Sequence, residues 1–328
     1  MMTSSVISEK QLLDCLKGLS TQNKVFAPKN NGEYYLFEEW DGQSLPGDDY
    51  ENTLKPLKDL FFPQYETLEK YQKAKGERPV ISDQDIDDRK CVVFGVRPCD
   101  AASLEMLDYV FIGDNYKDLY YKARRENTVI IGLACKEHFE GCFCKDPASK
   151  RGLDVLLFKD GDKYSVTAVS ERGKELLDAS FDTQFELQPC DANAYEQVVE
   201  KEIPEKLFKM FEHPIWDEIQ QKCLNCGVCT FLCPTCYCFD ITDNRRGEIV
   251  RNWDSCMFCS FTKQGSGHNP RPTGLERVRQ RVMHKYRYFF ENYSEIACVG
   301  CGRCVTECPV NFDIRQIIEM IRGADVSE

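Results

Sequence analysis

The sequence predicts an α/β domain over residues 1–188, a mixed sheet with a parallel β-α-β unit, followed by a mainly α-helical, cysteine-rich domain over 189–328. Two observations carry this division. CVVFGV (91–96) and TVIIGLA (128–134) are continuous apolar runs flanking an amphipathic segment, AASLEMLDYVF, the pattern of two buried parallel strands joined by a right-handed helical crossover. Towards the C-terminus the spacing C-x2-C-x2-C-x3-C-P occurs twice, at Cys223, Cys226, Cys229 and Cys233 ending on Pro234, and at Cys298, Cys301, Cys304 and Cys308 ending on Pro309.

Taken in order, SEKQLLDCLKG places apolar side chains at helical spacing, with Gly18 as the stop and Cys15 as packing. KVFAPKNNGEYYLFEEW then alternates strand formers about Asn31-Gly32, a hairpin signal. DGQSLPGDDYEN reads as loop, LKDLFFPQ as a short apolar element, YETLEKYQKAK as a helix, and the acidic run DQDIDDRK (83–90) as a solvated face. After CVVFGV the chain turns at RPCD, where Asp100 is placed to cap the crossover helix. DVLLFKDGDKYSVTAV predicts a second hairpin turning at Gly161-Asp162, and ERGKELLDA a helix. FDTQFELQPCDAN serves as linker, and Cys190 in it has no evident partner. AYEQVVEKEIPEKLFKMF and HPIWDEIQQK read as helices leading into the first cysteine run. Between the runs, TGLERVRQRVMHKYRYFFENY is a helix with a capping box at Thr273 and Glu276.

The repeated run is the bacterial ferredoxin signature. Three close cysteines take three corners of one 4Fe-4S cubane, and the fourth ligates the other. Cys223, Cys226, Cys229 and Cys308 are thereby expected to hold one cluster, and Cys298, Cys301, Cys304 and Cys233 the second. Tetrahedral zinc is the competing reading of C-x2-C pairs, but the octet with a distant fourth cysteine suits a cubane better than a point ion. A compact ferredoxin has far less than the 64 residues that separate Cys233 from Cys298 here, so the second domain is expected to be ferredoxin-like in ligation and largely helical in its insert. Ligand sites of open parallel sheets lie beyond the carboxyl ends of the strands. Cys99 and Cys135 follow the two predicted strands, and with Cys142 and Cys144 they make a set of four thiols, read as a third iron-sulfur site against the alternative of buried reduced cysteines.

Four further thiols, Cys236, Cys238, Cys256 and Cys259, are open to reading as a fourth metal site or a redox pair, with packing around the clusters preferred. His138 near Cys135 is read as a surface residue in preference to a ligand, and His268 and Asn269 as parts of a structural Gly/Pro loop in preference to contacts with a partner or a cluster sulfur.

The formal charge of the chain is −12, which argues against nucleic acid or an anionic membrane as the main partner. Against that balance, Arg245, Arg246, Arg251, Arg271, Arg277, Arg279, Arg281, Lys285 and Arg287 gather between the two runs. They serve either an anionic cluster or an ordinary solvated or docking face. The first residues have no apolar signal-peptide core and no stretch reaches membrane-span length, so a cytoplasmic, oxygen-poor setting with reduced thiols is expected. GxGxxG and GxxxxGK[ST] patterns do not occur.

CGVCTFLCPTCYCFDITD, WDSCMFCSFT, GHNPRP and CVGCGRCVTECPV, with GVRPCDAASLEMLDY and LACKEHFEGCFC, resemble the family that contains the electron-transfer subunit of anaerobic sulfite reductase and the beta subunit of cytoplasmic sulfhydrogenases. The resemblance implies an electron-transfer protein with a dicluster domain, the eight run cysteines as ligands, and FAD on a partner. That partner oxidises NAD(P)H, and a separate reductase or hydrogenase subunit performs the terminal reaction. The family pattern carries a proline where this chain has Cys259. Two further functions stay open at this point: a reductase with its own open iron or a reactive thiol such as Cys236 or Cys238, and a redox-sensing docking protein.

Overall fold

CVVFGV and TVIIGL become neighbouring parallel strands, in register from Cys91 opposite Thr128 to Phe94 opposite Ile131, with a bulge at Gly95 before Val96 pairs with Gly132. Val92, Phe94, Ile130 and Ile131 along them are buried, the setting in which unbroken Val/Ile runs are stable. The computed structural model describes residues 5–72, 78–83, 86, 89–114, 116–191, 196–244 and 247–326. Among these the strands are, in chain order, β1 (Ser5–Ser8), β2 (Lys24–Asn30), β3 (Tyr35–Glu39), β4 (Tyr65–Gln72), β5 (Val80–Asp83), β6 (Cys91–Val96), β7 (Thr128–Leu133), β8 (Val155–Asp160), β9 (Lys163–Ala168), β10 (Phe239–Asp243) and β11 (Glu248–Trp253).

The chain groups into two units. One comprises Met1–Phe61, Asp87–Glu196 and Val299–Cys301, and the other Phe62–Ile86, Gln197–Cys298 and Gly302–Glu328. Where the sequence suggests a single boundary after residue 188, this division moves Phe62–Ile86 into the later unit.

The first unit is built on a mixed sheet in the order β1-β9-β8-β7-β6-β2-β3. β2, β6, β7 and β8 are parallel, and β3, β9 and β1 add antiparallel edges. Both hairpins form where the turn residues place them: Asn30 faces Tyr35 across the first, and Asp160 faces Lys163 across Gly161-Asp162 in the second. Leu12 and Leu16 of the helix Glu9–Ser20 pack into a core with Val92, Phe94, Val155 and Leu157. This helix runs through Gly18 instead of stopping there, because its end is closed two residues later by the Thr21 backbone N–H on the carbonyls of Gly18 and Leu19.

The crossover helix spans Pro98–Phe111, one turn earlier than expected. Arg97 occupies the N-cap and Pro98 the first helical position, so Asp100 lies inside the first turn, fully buried, and is not the cap. A second crossover helix, Leu119–Glu126, was not legible in the sequence. Its eight residues are mostly polar, and it is held by the fully buried Tyr121, whose hydroxyl bonds Asp108 at 2.8 Å.

The second unit carries an antiparallel sheet, β10-β11-β4-β5, beside its helices, which a mainly helical reading did not contain. YETLEKYQ forms β4 and is not helical. Residues 73–75 of that segment lie outside the described residues, as do 84, 85, 87 and 88 of the acidic run, and Arg245 and Arg246. The reason for the strand is tertiary. Glu66 is buried and paired with Arg251 of β11, and the guanidinium lies 5.0 Å from the Phe62 ring centroid. The helix Gly274–Met283 has the expected capping box, packs on the helix Ile215–Gln220, and passes into a π-helical turn, His284–Tyr288, and the helix Phe289–Tyr293.

Truncating Glu66 strands a buried guanidinium. The Glu66→Ala variant is expected to lose about 3–5 kcal/mol of stability, read from its urea midpoint against the parent protein.

Candidate metal centres

The two cysteine runs fold alike because the same positions leave the right-handed region in both. Asn225 and Gly300, each just before the second cysteine, have φ of +56° and +69°, and Gly227 and Gly302, each just after it, have φ of +81° and +80°. Gly227 opens the short helix Val228–Phe231, Gly302 opens Arg303–Thr306, and these helices pack on each other. These reversals bring Cys223, Cys226 and Cys229 into electrostatic contact. Cys223 Sγ accepts the Asn225 backbone N–H at 3.4 Å, and Cys308 Sγ accepts that of Phe312 at 3.1 Å, the kind of bond that tunes cluster thiolates.

The fourth cysteine of the first run keeps company with the second. Cys304 is pushed up to about 12 by its burial, with Cys233, Cys298 and Cys229 among its negative neighbours. Cys233 is buried and moves the other way, held well below the ordinary thiol range by a bond from Cys236 and by the Lys285 ammonium. Arg281 is buried too. Burial opposes its charge, yet Cys229, Cys304, Cys236 and Cys233 hold its pKa above the usual guanidinium value, and its Nε has no hydrogen-bond partner among the described residues. Buried Tyr286 faces Cys298. Such a donor set fits 4Fe-4S clusters: crowded thiols repel one another as they ionise, and iron together with buried cations offsets that repulsion. Among the described residues no group of three or more His, Cys, Asp or Glu is placed for a single metal ion.

In the first unit, Cys99 lies in the opening turn of the helix Pro98–Phe111, and Cys135 lies two residues beyond β7. Together with Cys142 and Cys144 they line one cavity, so the four thiols expected at this sheet edge do meet. Arg97, which sequence reading passed over, organises it. Its Nε donates to Glu51 O at 2.7 Å, Nη1 to Leu133 O and Ala134 O at 3.1 Å each, and Nη2 to Tyr50 O. The guanidinium also stacks 4.2 Å from the Tyr50 ring centroid. Asn52 Nδ2 lies 3.9 Å from Cys99 Sγ, and the loop is anchored by Phe143 N–H on Gly300 O at 2.9 Å. A Cβ on Gly300 would stand 2.4 Å from Cys144 N, so only glycine admits the loop. Burial raises Cys135, and burial with Cys142 and Cys135 pushes Cys144 up to about 12. His138 is exposed, with Nε2 2.7 Å from the Cys144 carbonyl oxygen, which it positions.

A family described as a 4Fe-4S dicluster domain matches residues 222–312. The chain is 31% identical to sulfhydrogenase 2 subunit beta of Pyrococcus furiosus, over 93% of this chain and 94% of that protein. This chain belongs to the sulfhydrogenase beta-subunit family. As in the sequence-based resemblance, family membership and the dicluster match support an iron-sulfur electron-transfer role within a larger oxidoreductase. Among the described residues no helix is long and apolar enough to cross a membrane.

In this sulfhydrogenase-family chain the four remaining thiols divide. Cys256 is buried and hydrogen-bonded to the free thiol of Cys238, which raises its pKa, and Cys236 hydrogen-bonds Cys233. Cys259 is exposed, with Asn269 Nδ2 on its carbonyl at 2.8 Å and on its sulfur at 3.4 Å. Asn269 Oδ1 also accepts from Thr262 Oγ1 and the Arg271 N–H, so it closes the Gly/Pro loop, while the His268 backbone N–H donates to Ser266 Oγ.

A Cβ on Gly227 would stand 2.7 Å from the Phe258 ring in a backbone conformation disfavoured for side chains. Gly227→Ala is expected to cost about 1–3 kcal/mol, measured as a lowered denaturation midpoint, and to slow iron loading in reconstitution assays.

Proposed function

We propose that this chain is a one-electron relay in a cytoplasmic, anaerobic oxidoreductase complex. It takes electrons from a partner subunit that carries FAD and oxidises NAD(P)H, and delivers them to a terminal reductase or hydrogenase subunit. The observation that supports this reading is the matched folding of the two runs with Arg281 and Lys285 buried among their cysteines; in this reading their eight thiols fully coordinate two centres and leave no ligand position for a substrate. Bound 4Fe-4S clusters supply a one-electron couple.

In this reading Cys223, Cys226, Cys229 and Cys308 hold the first cluster, and Cys298, Cys301, Cys304 and Cys233 hold the second. The neighbourhood of Cys233 with Cys298 and Cys304 supports the crossed assignment. Cys99, Cys135, Cys142 and Cys144 hold a third, supported by their common cavity and by the Arg97 charge that lowers the cost of thiolate at Cys135. Cys236, Cys238 and Cys256 pack beside the second cluster and are not ligands.

Anaerobically purified protein is expected to contain about twelve irons per chain and to give paramagnetic signals after dithionite. Cys135→Ala is expected to lower the iron to about eight without loss of the two ferredoxin-type signals. Cys226→Ala and Cys301→Ala are each expected to remove one of those signals. Full iron and unchanged electron flux in both variants would overturn the ligand assignment. The isolated chain is expected to pass no electrons from NAD(P)H until a flavoprotein partner is added, and turnover without one would sink the relay reading.

A further inference from the structure

The helix Gly274–Met283 does not continue in register: His284–Tyr288 is a π-helical turn. Such single-turn widenings are costly and collect at functional sites. Lys285 lies in this turn and is 3% exposed. A lysine ammonium has three donors. All three are used, to Cys233 Sγ at 3.0 Å, Thr235 Oγ1 at 3.0 Å and Ala297 O at 2.9 Å. Ala297 N–H returns a bond to Lys285 O at 2.8 Å, and Thr235 Oγ1 donates to Ala297 O at 2.6 Å.

Two features of this node point beyond packing. A buried charge persists when an opposite charge faces it, yet among the described residues no carboxylate pairs with Lys285; the groups that hold it charged are the sulfurs of Cys233, Cys236 and Cys298, and it donates to the first of these. The node also ties the last cysteine of the first run to Ala297, the residue before the first cysteine of the second. Those two cysteines belong to one cluster under the crossed assignment, on which this inference rests.

We propose that Lys285 is a positioning and potential-setting residue for the second cluster, joining Cys233 to the Ala297–Cys298 segment and raising the reduction potential of that cluster relative to the first. Reduction adds one negative charge and breaks no bond, so a fixed cation beside a ligand sulfur stabilises the reduced form more than the oxidised form. The hydrogen bond to Cys233 acts in the same direction by withdrawing charge from the sulfur. Because the Lys285 donors are all directed, an uncharged side chain of similar length removes the charge while leaving volume in place.

The test is a redox titration of the full, iron-loaded protein followed by paramagnetic resonance, with Cys226→Ala and Cys301→Ala identifying which signal belongs to which cluster. K285Q is expected to lower the one-electron equilibrium constant of the Cys301-dependent cluster at least tenfold, about 59 mV, and to change the Cys226-dependent cluster less than threefold. K285R, which keeps a cation in the niche, is expected to stay within about threefold of the parent protein. An iron-loaded K285Q with neither potential moved, or with both moved equally, overturns the inference while the ligand assignment stands. Should K285Q fail to retain iron, K285R decides: a potential near that of the parent supports the inference, and a tenfold fall overturns it. A parent protein without the two signals overturns the ligand assignment and this inference with it.

Discussion

Buried positive charge facing sulfur is the interaction on which the second unit depends. Arg281 and Lys285 are almost wholly removed from solvent, and neither pairs with a carboxylate among the described residues. Placing two such charges in an interior is unfavourable unless an offsetting group lies within reach, and the groups that hold both cations in their charged form are cysteine sulfurs of both runs. The helix Gly274–Met283 and its π-helical extension therefore act as more than a spacer between two motifs. They place both cations among these sulfurs, and the capping box at Thr273 and Glu276 starts that support in register.

The first unit uses a buried cation differently. Arg97 spends its donors on four backbone carbonyls, at Tyr50, Glu51, Leu133 and Ala134, and so fixes the chain where β7 ends and where the segment before Asn52 passes. Its bonds are structural, yet its charge still lowers the cost of ionising Cys135. The cavity it organises is bounded by the end of β7 on one side and by the loop Cys142–Cys144 on the other, with Gly300 as the residue against which that loop closes. A buried cation thus orients backbone in the first unit, while in the second Arg281 and Lys285 lie among cysteine sulfurs. Arginine suits the first task because its planar fork reaches several fixed acceptors at once.

Much of the local structure was legible in the residues. The hairpins at Asn31-Gly32 and Gly161-Asp162, the parallel pair of apolar runs and the capping box all follow from chemistry within a few residues. YETLEKYQ was not, because its helical charge pattern competes with strand pairing to β11, and Glu66 is satisfied by an arginine 185 residues away. Asp100 was misread for a related reason: an acidic residue ahead of an apolar run signals a cap, but Pro98 starts the helix before it. The helix Leu119–Glu126 was missed because it is only eight mostly polar residues long and is held by bonds to distant residues, Tyr121 and Arg125 to Asp108 and Arg124 to Phe61 O.

By itself the sequence determined which cysteines form repeated loops and what those loops are built to hold, since a spacing of two or three residues is a local geometric instruction. It also marked the strand ends at which Cys99 and Cys135 emerge. Only the tertiary structure decided that Cys142 and Cys144 share a cavity with them, that Arg97 rather than a histidine organises it, and that Lys285 joins Cys233 to the segment before Cys298. Those outcomes depend on burial, and burial is set by contacts between residues far apart in the chain, which no short window of sequence contains.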